Sequence, residues 1–576
     1  MKNSKRDKSP NLQWPRGREM PNSIIMHNLD ESDEKIGIVL INGGVYNRSW
    51  SSTKSPVILC IGFTVAMIFS ILPILLTCAM ARAASTSSSR IVHCLSASKV
   101  PQDIPGSSAW IEDIIPYNTR LNYTPSAFAI PRTVPQVQAA VSCAAKLGIK
   151  VNPKSGGHSY ASHSIGGEDG HLVIDLRYFD DVELDKTTNI ATVGPGARLG
   201  NMALSIYNDG GRAIAHGICP RSSVGVGGHV LHGGQGYSSH TYGMMLDFLA
   251  GAEIVLANSS VVQTSETKNS DLFWALRGAG MSYGIVTSFT FRTIPAPEEN
   301  ILFYYGYLWN RTQALTGWTA FQNYAAGHTT PQIPREMNIR VVVFKYDATR
   351  LLFLFEGAYH GSQADFGVAI APFLASLVGV GDLDEANVVA KSVGWLDSLA
   401  YANNNDLYSN WGTGQGIEVP FNFTMFTKSL MTNDLTSAGV DAWINKIYNT
   451  AFNTSLSWQI IVAAQGGPTS VVPQVPVKET SYAHRNQIFE WQLAAGVISG
   501  VFPTPEGFDF LNNIVGAIEE AESNATLGMY YNYADPSLSA ADAHERYWLF
   551  NYERLSQIKR AVDPHLVFMN PQTVNV

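Results

Sequence analysis

The chain is poor in cysteine and in charge. Only five of its 576 residues are cysteine, which is too few for a small scaffold held together by disulfides. Charged side chains make up 15% of the chain, and 47 acidic residues against 39 basic ones give a net charge of −8. This balance argues against a nucleic-acid-binding protein, in which a basic patch or stripe is expected. Hydrophobic residues reach 45%, so the chain can build large cores and a disordered protein is excluded.

Two common kinds of catalytic site are also missing. His229 and His232 have the spacing of a zinc pair, but no third ligand lies at a usual distance, so we expect no metal. No Gly-x-Ser-x-Gly nucleophile elbow occurs. Gly194–Gly200 resembles a dinucleotide fingerprint, but its third glycine is misplaced and Pro195 occupies the tight turn. We therefore interpret this segment as a plain turn.

Residues 55–81 form a long uncharged hydrophobic run, long enough to cross a hydrocarbon core of about 30 Å. The tail at 1–54 has more basic than acidic residues, so the positive-inside rule keeps it cytosolic and exports the rest. The run is either an uncleaved signal anchor or a signal peptide cleaved near Ala-Arg-Ala at 81–83. A leader placed ahead of the true start is a third explanation. The first two place the catalytic part outside the cytosol, secreted or anchored by a single span.

Export is also favoured by six Asn-X-Ser/Thr sequons beyond the run, because glycosylation acceptors belong to the surfaces of exported proteins. The six asparagines are Asn122, Asn258, Asn310, Asn422, Asn453 and Asn524.

Three cysteines, Cys94, Cys143 and Cys219, follow the hydrophobic run. In an oxidising compartment two of them should pair. Cys94 opens the folded part and Cys143 lies on a predicted helix, so we expect a disulfide between them. The odd thiol, Cys219, then needs its own explanation.

The segment at 126–152 predicts a strand, a helix and a second strand. Thr133 with Gln136 indicates a capping box at the start of the helix, and Gly148 indicates its end. The glycine-containing turn Pro153–Tyr160 follows the second strand at once, and such a turn can direct backbone N–H groups at a phosphate. From about 298 onward, longer aromatic and β-branched runs predict a second domain with an antiparallel sheet. A single C-terminal helix is expected around Tyr547–Val562.

Two glycine-dense segments, Ser155–Tyr160 and His216–Tyr237, suit a backbone that passes very close to a flat or phosphorylated ligand. His158 lies in the first segment and Cys219 in the second, so both side chains could be bonded to one cofactor. Taken alone, these residues favour the plainer interpretation of a loop histidine and a buried thiol.

Four motifs, in order along the chain, resemble the FAD-linked oxidases of the vanillyl-alcohol-oxidase superfamily. They are Lys154–Tyr160, Cys219–Tyr237, Asp271–Gly280 followed by Gly284–Thr287, and Asn570–Val574. The nearest branch is the berberine-bridge-enzyme-like group, which includes fungal glucooligosaccharide and chitooligosaccharide oxidases. The resemblance covers about residues 90 to 576. It implies an α+β protein with a two-part α/β FAD-binding domain of the PCMH type.

The same resemblance implies the domain boundaries. The FAD-binding domain should span 90–297 and a substrate domain with an antiparallel sheet flanked by helices should span 298–525. Residues 526–576 should return to the FAD-binding domain as a berberine-bridge-like segment.

The resemblance also implies how FAD is held. His158 matches the histidine bonded to the flavin 8α-methyl group, and Cys219 matches the cysteine bonded to flavin C6. One departure is that Cys219 and Val224 are separated by two extra residues, so a single histidyl bond is the alternative. The Cys94–Cys143 pair fits the family's N-terminal disulfide. The other expected FAD-binding residues are Lys154, Ser155, Gly156, Gly157 and Ser159 at the pyrophosphate, Val224, Gly225, Val226, Gly227 and Gly228 along the dinucleotide, Gly284, Ile285 and Val286 at the adenosine, and Asn570 and Gln572.

The segment Tyr530–Asp535 resembles the family's catalytic motif, in which Tyr533 is the base and Tyr530 and Asp535 accompany it. The residues alone favour ordinary core tyrosines. The resemblance implies that Tyr533 removes a hydroxyl proton while hydride passes to flavin N5 and dioxygen becomes hydrogen peroxide. The expected substrate is an alcohol or hemiacetal, such as the reducing end of an oligosaccharide. The alternatives are a tailoring oxidase of secondary metabolism and a non-catalytic flavin-binding surface protein.

Overall fold

The computed structural model describes residues 89–217, 224–401, 423–497 and 500–576. The hydrophobic run at 55–81, Cys219 and Asn422 lie outside these residues. Within the described ranges, no helix combines the length and the apolar character that a membrane span requires.

The first sheet has four strands, and its central pairs are parallel. Its strands are β1 (Gln102–Asp103), β2 (Ala127–Ala129), β3 (Val151–Lys154) and β4 (Leu172–Asp175), in the order β1-β2-β4-β3. Three helices belong to this part: α1 (89–97), α2 (Trp110–Asp113) and α3 (Val134–Leu147). The predicted strand–helix–strand unit is therefore confirmed as β2–α3–β3.

Helix α3 begins and ends where the sequence predicts. Gly148 ends it in the left-handed region at φ 67°, where a glycine has no steric penalty. The expected capping box is wrong, because the Thr133 side chain makes no capping hydrogen bond. Gln136 Oε1 instead accepts a hydrogen bond from the Arg132 backbone N–H at 2.7 Å. The predicted disulfide between Cys94 and Cys143 is present, with the two Cα atoms 5.8 Å apart, and it ties α1 to α3.

The second sheet is antiparallel and has the strand order β5-β6-β10-β8-β9. Its strands are β5 (Val182–Asp185), β6 (Ile190–Val193), β8 (Leu249–Val255), β9 (Val261–Ser265) and β10 (Ile285–Arg292), while β7 (Arg212–Ala213) and β11 (Ile294–Pro295) pair separately. The accompanying helices are α4 (Leu199–Gly210), α5 (Val226–Val230), α6 (Ser239–Tyr242) and α7 (Ser270–Ala279).

The third sheet has seven antiparallel strands in the order β15-β12-β14-β13-β17-β18-β16. The strands are β12 (Asn300–Trp309), β13 (Met337–Lys345), β14 (Leu351–Tyr359), β15 (Asp382–Val393), β16 (Thr424–Thr432), β17 (Ser457–Ala464) and β18 (Phe489–Val497). Five helices accompany it: α8 (Arg311–Ala325), α9 (Gln363–Ser376), α10 (Trp395–Tyr401), α11 (Ser437–Thr450) and α12 (Glu506–Ala521).

The two faces of the third sheet differ in chemistry. Alternate strand residues pack with α8, α9, α11 and α12 in one hydrophobic core. The residues between them point to the other face. That face carries polar side chains at Arg340, Glu356, Glu490 and Gln492. The helices therefore cover one face, and the other is available to form a polar site.

The C-terminal segment returns to the first sheet. It forms α13 (Ala540–Trp548) and α14 (Tyr552–Val562), and Phe568 then bridges to Val151 of β3. The expectation of one continuous helix over Tyr547–Val562 is wrong, because Leu549 has φ 46° and the chain turns through a 3₁₀ segment. The architecture is α+β, as expected.

Candidate active site

His158 lies in the loop that follows β3. Its ring stacks on Tyr117 with centroids 3.8 Å apart and an interplanar angle of 29°. Burial lowers the pKa of His158 to about 4, so its imidazole is neutral at pH 7. A neutral imidazole keeps a nitrogen lone pair, which a bond to a flavin methyl carbon requires.

The same loop, at residues 155–157, lies close to the segment 225–228, and we call these two glycine-containing segments the glycine cradle. A Cβ at Gly225 would lie 2.0 Å from Ser155 Oγ and 2.3 Å from the Gly156 nitrogen, so only glycine allows the two loops to approach. The Ser155 hydroxyl donates to the Pro195 carbonyl at 2.5 Å, and the Gly227 N–H donates to the same carbonyl at 3.1 Å. The turn at 194–198, which sequence reasoning set aside, therefore joins the two predicted cofactor loops.

Arg198 is a site residue that sequence reasoning missed. Its guanidinium donates to the Ser155 carbonyl at 3.2 Å and to the Gly196 carbonyl at 2.7 Å. Burial lowers the pKa of Arg198, but the group is a strong base and stays charged. The positive charge of Arg198, next to the backbone N–H groups of the loop that contains Ser155, suits the negative charge of a pyrophosphate. Its position two residues after the Gly-Pro-Gly turn was the available signal.

Other predicted cradle residues are engaged with protein groups. Lys154 Nζ forms an ion pair with Asp175 at 3.2 Å. Ser159 Oγ accepts from the His163 N–H at 3.1 Å. A Cβ at Gly228 would meet no protein atom within 4 Å, so the side of the cradle at Gly228 is open.

The residues expected at the adenosine lie at the centre of the second sheet. Ile285 and Val286 are buried in β10, and their side chains pack in two different hydrophobic cores. Gly284 lies against the Val255 carbonyl, which a Cβ would approach to 2.5 Å. The structure therefore leaves only their backbone for contact with a ligand.

Asn570 and Gln572 support the tyrosine segment. Asn570 Nδ2 donates to the Tyr531 hydroxyl at 3.3 Å. Gln572 Nε2 donates to the Asp535 carbonyl at 2.7 Å. Both side chains are buried, so they fix the position of the 530–535 segment.

The structure brings Tyr533 next to the histidine loop. The Tyr160 and Tyr533 rings are stacked with centroids 5.8 Å apart, and Tyr530 meets Tyr533 edge-on at 5.1 Å. The Tyr530 hydroxyl accepts hydrogen bonds from the Gly234 N–H at 2.8 Å and from Asn532 Nδ2 at 2.9 Å. Burial raises the pKa of Tyr530 well above its usual range, so Tyr530 stays protonated. Tyr533, which is only partly buried, is the better candidate base.

Asp535 is buried with its carboxylate 2.6 Å from Lys428 Nζ. The same carboxylate accepts hydrogen bonds from the backbone and hydroxyl of Ser537. The described contacts of Asp535 therefore anchor the segment that carries Tyr533.

The polar face of the third sheet completes the site. Gln492 Nε2 donates to the Tyr160 hydroxyl at 2.7 Å, which links β18 to the histidine loop. Tyr237 donates its hydroxyl proton to Glu356 Oε1 at 2.7 Å. Sequence reasoning missed these residues, although isolated polar side chains in otherwise apolar strands were a signal. Together they place a hydrogen-bonded set of polar side chains next to the loop that carries His158 and Tyr160.

The chain matches two sequence families. Residues 125–265 match the FAD binding domain, and residues 529–575 match the family described as berberine and berberine like. A xylooligosaccharide oxidase of Thermothelomyces thermophilus is 42% identical over 84% of this chain and 94% of the relative. The chain belongs to the berberine-bridge-enzyme-like FAD-linked oxidases.

Other relatives of this oxidase agree. A chitooligosaccharide oxidase of Gibberella zeae is 36% identical over 85% of this chain and 96% of its own. The solved xylooligosaccharide oxidase from Myceliophthora thermophila, in complex with xylobiose, has a TM-score of 0.76 at 41% identity and covers 84% of this chain and 99% of its own. The solved glucooligosaccharide oxidase of Acremonium strictum, described as revealing a novel flavinylation, has a TM-score of 0.77 at 35% identity, over 84% of this chain and 98% of its own.

The oxidase is an FAD enzyme, and its described residues fit that cofactor. The glycine cradle at Gly225, the Arg198 charge and the neutral imidazole of His158 lie in adjoining loops. The relatives described above do not favour the alternative that this protein is a tailoring oxidase of secondary metabolism.

Proposed function

We propose that this FAD-linked oxidase oxidises the reducing-end hemiacetal carbon of an oligosaccharide to a lactone. The observation that carries the proposal is the set of polar side chains on the third sheet, beside Tyr533 and opposite the helix-covered face. Amide, carboxylate and guanidinium groups at this place can bind the hydroxyl groups of a sugar. Relatives that match nearly their full length are named for xylo-, chito- and glucooligosaccharides.

The chain's own residues would supply the proton chemistry. Tyr533 accepts the proton of the anomeric hydroxyl, because Tyr530 is kept protonated by burial. Tyr160, held by Gln492, stacks on Tyr533 and limits the positions that the base can take. FAD, which His158, Arg198 and the glycine cradle would hold, would supply the acceptor for the hydride from the same carbon, with dioxygen as the final two-electron acceptor and hydrogen peroxide as its product.

For the cofactor, we propose bonds to His158 and to Cys219. The described residues on either side of the segment that contains Cys219, Gly217 and Val224, lie near the cradle. The Gly217 N–H donates to His229 Nε2 at 2.9 Å, and the Val224 carbonyl accepts from the Leu199 N–H at 3.1 Å. Two covalent bonds would raise the flavin potential, as a weakly reducing hemiacetal requires. The FAD domain at 90–297 and the substrate domain at 298–525 belong to this proposal.

The same proposal places the enzyme outside the cytosol. Five of the six sequon asparagines lie in the described residues, and all five are exposed: Asn122, Asn258, Asn310, Asn453 and Asn524. The disulfide between Cys94 and Cys143 also suits an oxidising compartment.

A panel of xylo-, chito- and cello-oligosaccharides, assayed for hydrogen peroxide and for the lactone product, tests the activity. We expect turnover on at least one series and little on alcohols without a hemiacetal. Tyr533→Phe should keep the flavin attached but slow its anaerobic reduction by a factor on the order of 10² to 10⁴. Tyr117→Phe is the matched control at a tyrosine beside His158. No oxidation of any sugar by the flavin-loaded enzyme would refute the proposal.

A further inference from the structure

Tyr533 needs a positive charge nearby if it is to act as a base, because the pKa of a free tyrosine is near 10. Two cations of the described residues lie near this segment, and each is paired with a carboxylate: Lys428 with Asp535 and Arg340 with Glu356. We propose that Arg340 is the positioning cation that makes Tyr533 a usable base, and that Glu356 limits its effect. This inference rests on the proposed function, in which Tyr533 takes the substrate proton.

The register of the third sheet places Arg340 on the same polar face as Gln492. Arg340 of β13 lies opposite Glu356 of β14. Val342, the next residue on the same face, is opposite Ile461, which is in turn opposite Gln492. Gln492 binds Tyr160, whose ring stacks on Tyr533. Residues two apart on a strand are separated by about 7 Å and neighbouring strands by about 5 Å, so Arg340 lies one row along and two strands across from Gln492 on the same face.

Three contacts hold Arg340 in place. Its Nε donates to Glu356 Oε1 at 2.6 Å, and its guanidinium lies over the Tyr237 ring, 4.9 Å from the centroid. Tyr237 donates its hydroxyl proton to the same Glu356 oxygen. The charge is therefore fixed in position and shielded from water, where a Coulomb interaction is stronger than in solution.

The electrostatic coupling between the two groups works in both directions. Burial alone would lower the pKa of Arg340, but Glu356, Tyr237 and Tyr533 raise it, and the net shift is upward. A tyrosinate at 533 that favours the charged Arg340 must itself be favoured by that charge, because coupling is reciprocal. Glu356 carries the opposite charge, so it should oppose the effect of Arg340 on Tyr533.

Other ionisable groups near the pair are common to every variant. Tyr530 and Tyr160 contact Tyr533, and Asp535 is paired with Lys428. Glu490 of β18 faces Tyr530, and burial raises its pKa to about 8. Differences between variants therefore report on Arg340, Glu356 and the Tyr237 hydroxyl that both contact, and the Tyr533→Phe subtraction isolates Tyr533.

The test compares Arg340→Met, Arg340→Lys and Glu356→Gln in the flavin-loaded enzyme. The first measurement is the rate of anaerobic flavin reduction as a function of pH. We expect Arg340→Met to move the acid limb to higher pH by about one unit, which lowers the rate near neutrality about tenfold and restores it in alkali. Arg340→Lys should recover most of the shift. Glu356→Gln should move the limb in the opposite direction, to lower pH.

The second measurement is independent of turnover. The ultraviolet absorbance of tyrosinate, taken as the difference between each variant with Tyr533 and the same variant with Tyr533→Phe, gives the titration of Tyr533 itself. Its midpoint should shift in the same two opposite directions. A rate that falls equally at every pH in Arg340→Met, or shifts of the same sign in Arg340→Met and Glu356→Gln, would overturn the inference.

The two proposals fail in different ways. If no sugar is oxidised but the Tyr533 titration shifts as stated, the proposed substrate is wrong and the electrostatic pairing stands. If the wild-type enzyme oxidises sugars but the titration is unmoved, only the role of Arg340 falls. Arg340→Lys and Glu356→Gln carry the test should Arg340→Met not fold.

Discussion

At the scale of single residues, Glu490 has the most unusual environment among the polar side chains on the third sheet. It is 2% exposed, its Oε2 atom has no hydrogen-bond partner, and burial raises its pKa to about 8. The folded protein therefore holds a proton that the unfolded chain releases near pH 4.5. Stability from this group is complete below pH 4.5 and is lost as pH rises toward 8.

Glu490→Gln should consequently stabilise the protein in neutral and alkaline solution, because an amide never has to ionise. The gain in free energy of unfolding should be small at pH 5 and should reach the order of a few kcal/mol near pH 8. Denaturant unfolding at several pH values measures it, with Gln487→Glu as a reversed control. Parallel pH dependences for the wild type and Glu490→Gln would show that Glu490 is already ionised in the fold.

Residue roles could be predicted only where a motif is continuous in sequence. His158 and Tyr533 each lie inside a short motif, and the structure brings them together through Tyr117 and Tyr160. Arg340 and Glu356 escaped prediction because their function depends on strand register, which pairs β13 with β14 and aligns both with β18. The sequence does not state that register.

At the scale of elements, the approach of two loops at Gly225 decides whether the cradle forms. Gly225→Ala places a Cβ 2.0 Å from Ser155 Oγ, so the 155–157 loop or α5 must move. We expect a large loss of bound flavin in this variant, measured as the ratio of flavin to protein absorbance. Gly516→Ala, where a Cβ in α12 meets nothing within 4 Å, is the matched control and should keep its flavin. Full flavin loading in Gly225→Ala would show that the cradle tolerates a wider gap.

The observed ends of helices agree with the predicted ones where local signals decide them, as at Gly148. The observed boundaries differ from the predicted ones where tertiary contacts determine the backbone conformation. The C-terminal helix breaks at Leu549, because Trp548 is buried with its indole N–H on the Gly278 carbonyl and α14 packs separately. Helical periodicity cannot report such a break, since both halves keep the same period.

At the scale of the whole molecule, buried histidines make the fold sensitive to acid. Besides His158, seven histidines have a pKa lowered by burial to about 3 or 4: His163, His216, His229, His232, His240, His360 and His484. Unfolded histidine takes up a proton near pH 6.5, whereas these folded ones do not. Stability is therefore full above pH 6.5 and is lost as pH falls toward 4.

We expect the midpoint temperature of thermal unfolding to fall steadily between pH 6.5 and 4.5. The free energy of unfolding should decrease by on the order of 1 kcal/mol at most for each histidine and each pH unit. Calorimetry at several pH values, combined with the proton uptake on unfolding, checks this prediction. An uptake of less than one proton per molecule at pH 5.5 would mean that these histidines are protonated in the fold.

We propose that one FAD molecule is bonded both to His158 and to Cys219. The most direct test is acid precipitation of the purified protein, followed by the absorption spectrum of the pellet and the masses of its flavin peptides. We predict flavin on a cross-linked pair of peptides that contain His158 and Cys219. Flavin released entirely into the supernatant, from enzyme expressed with adequate flavin supply, would contradict the account.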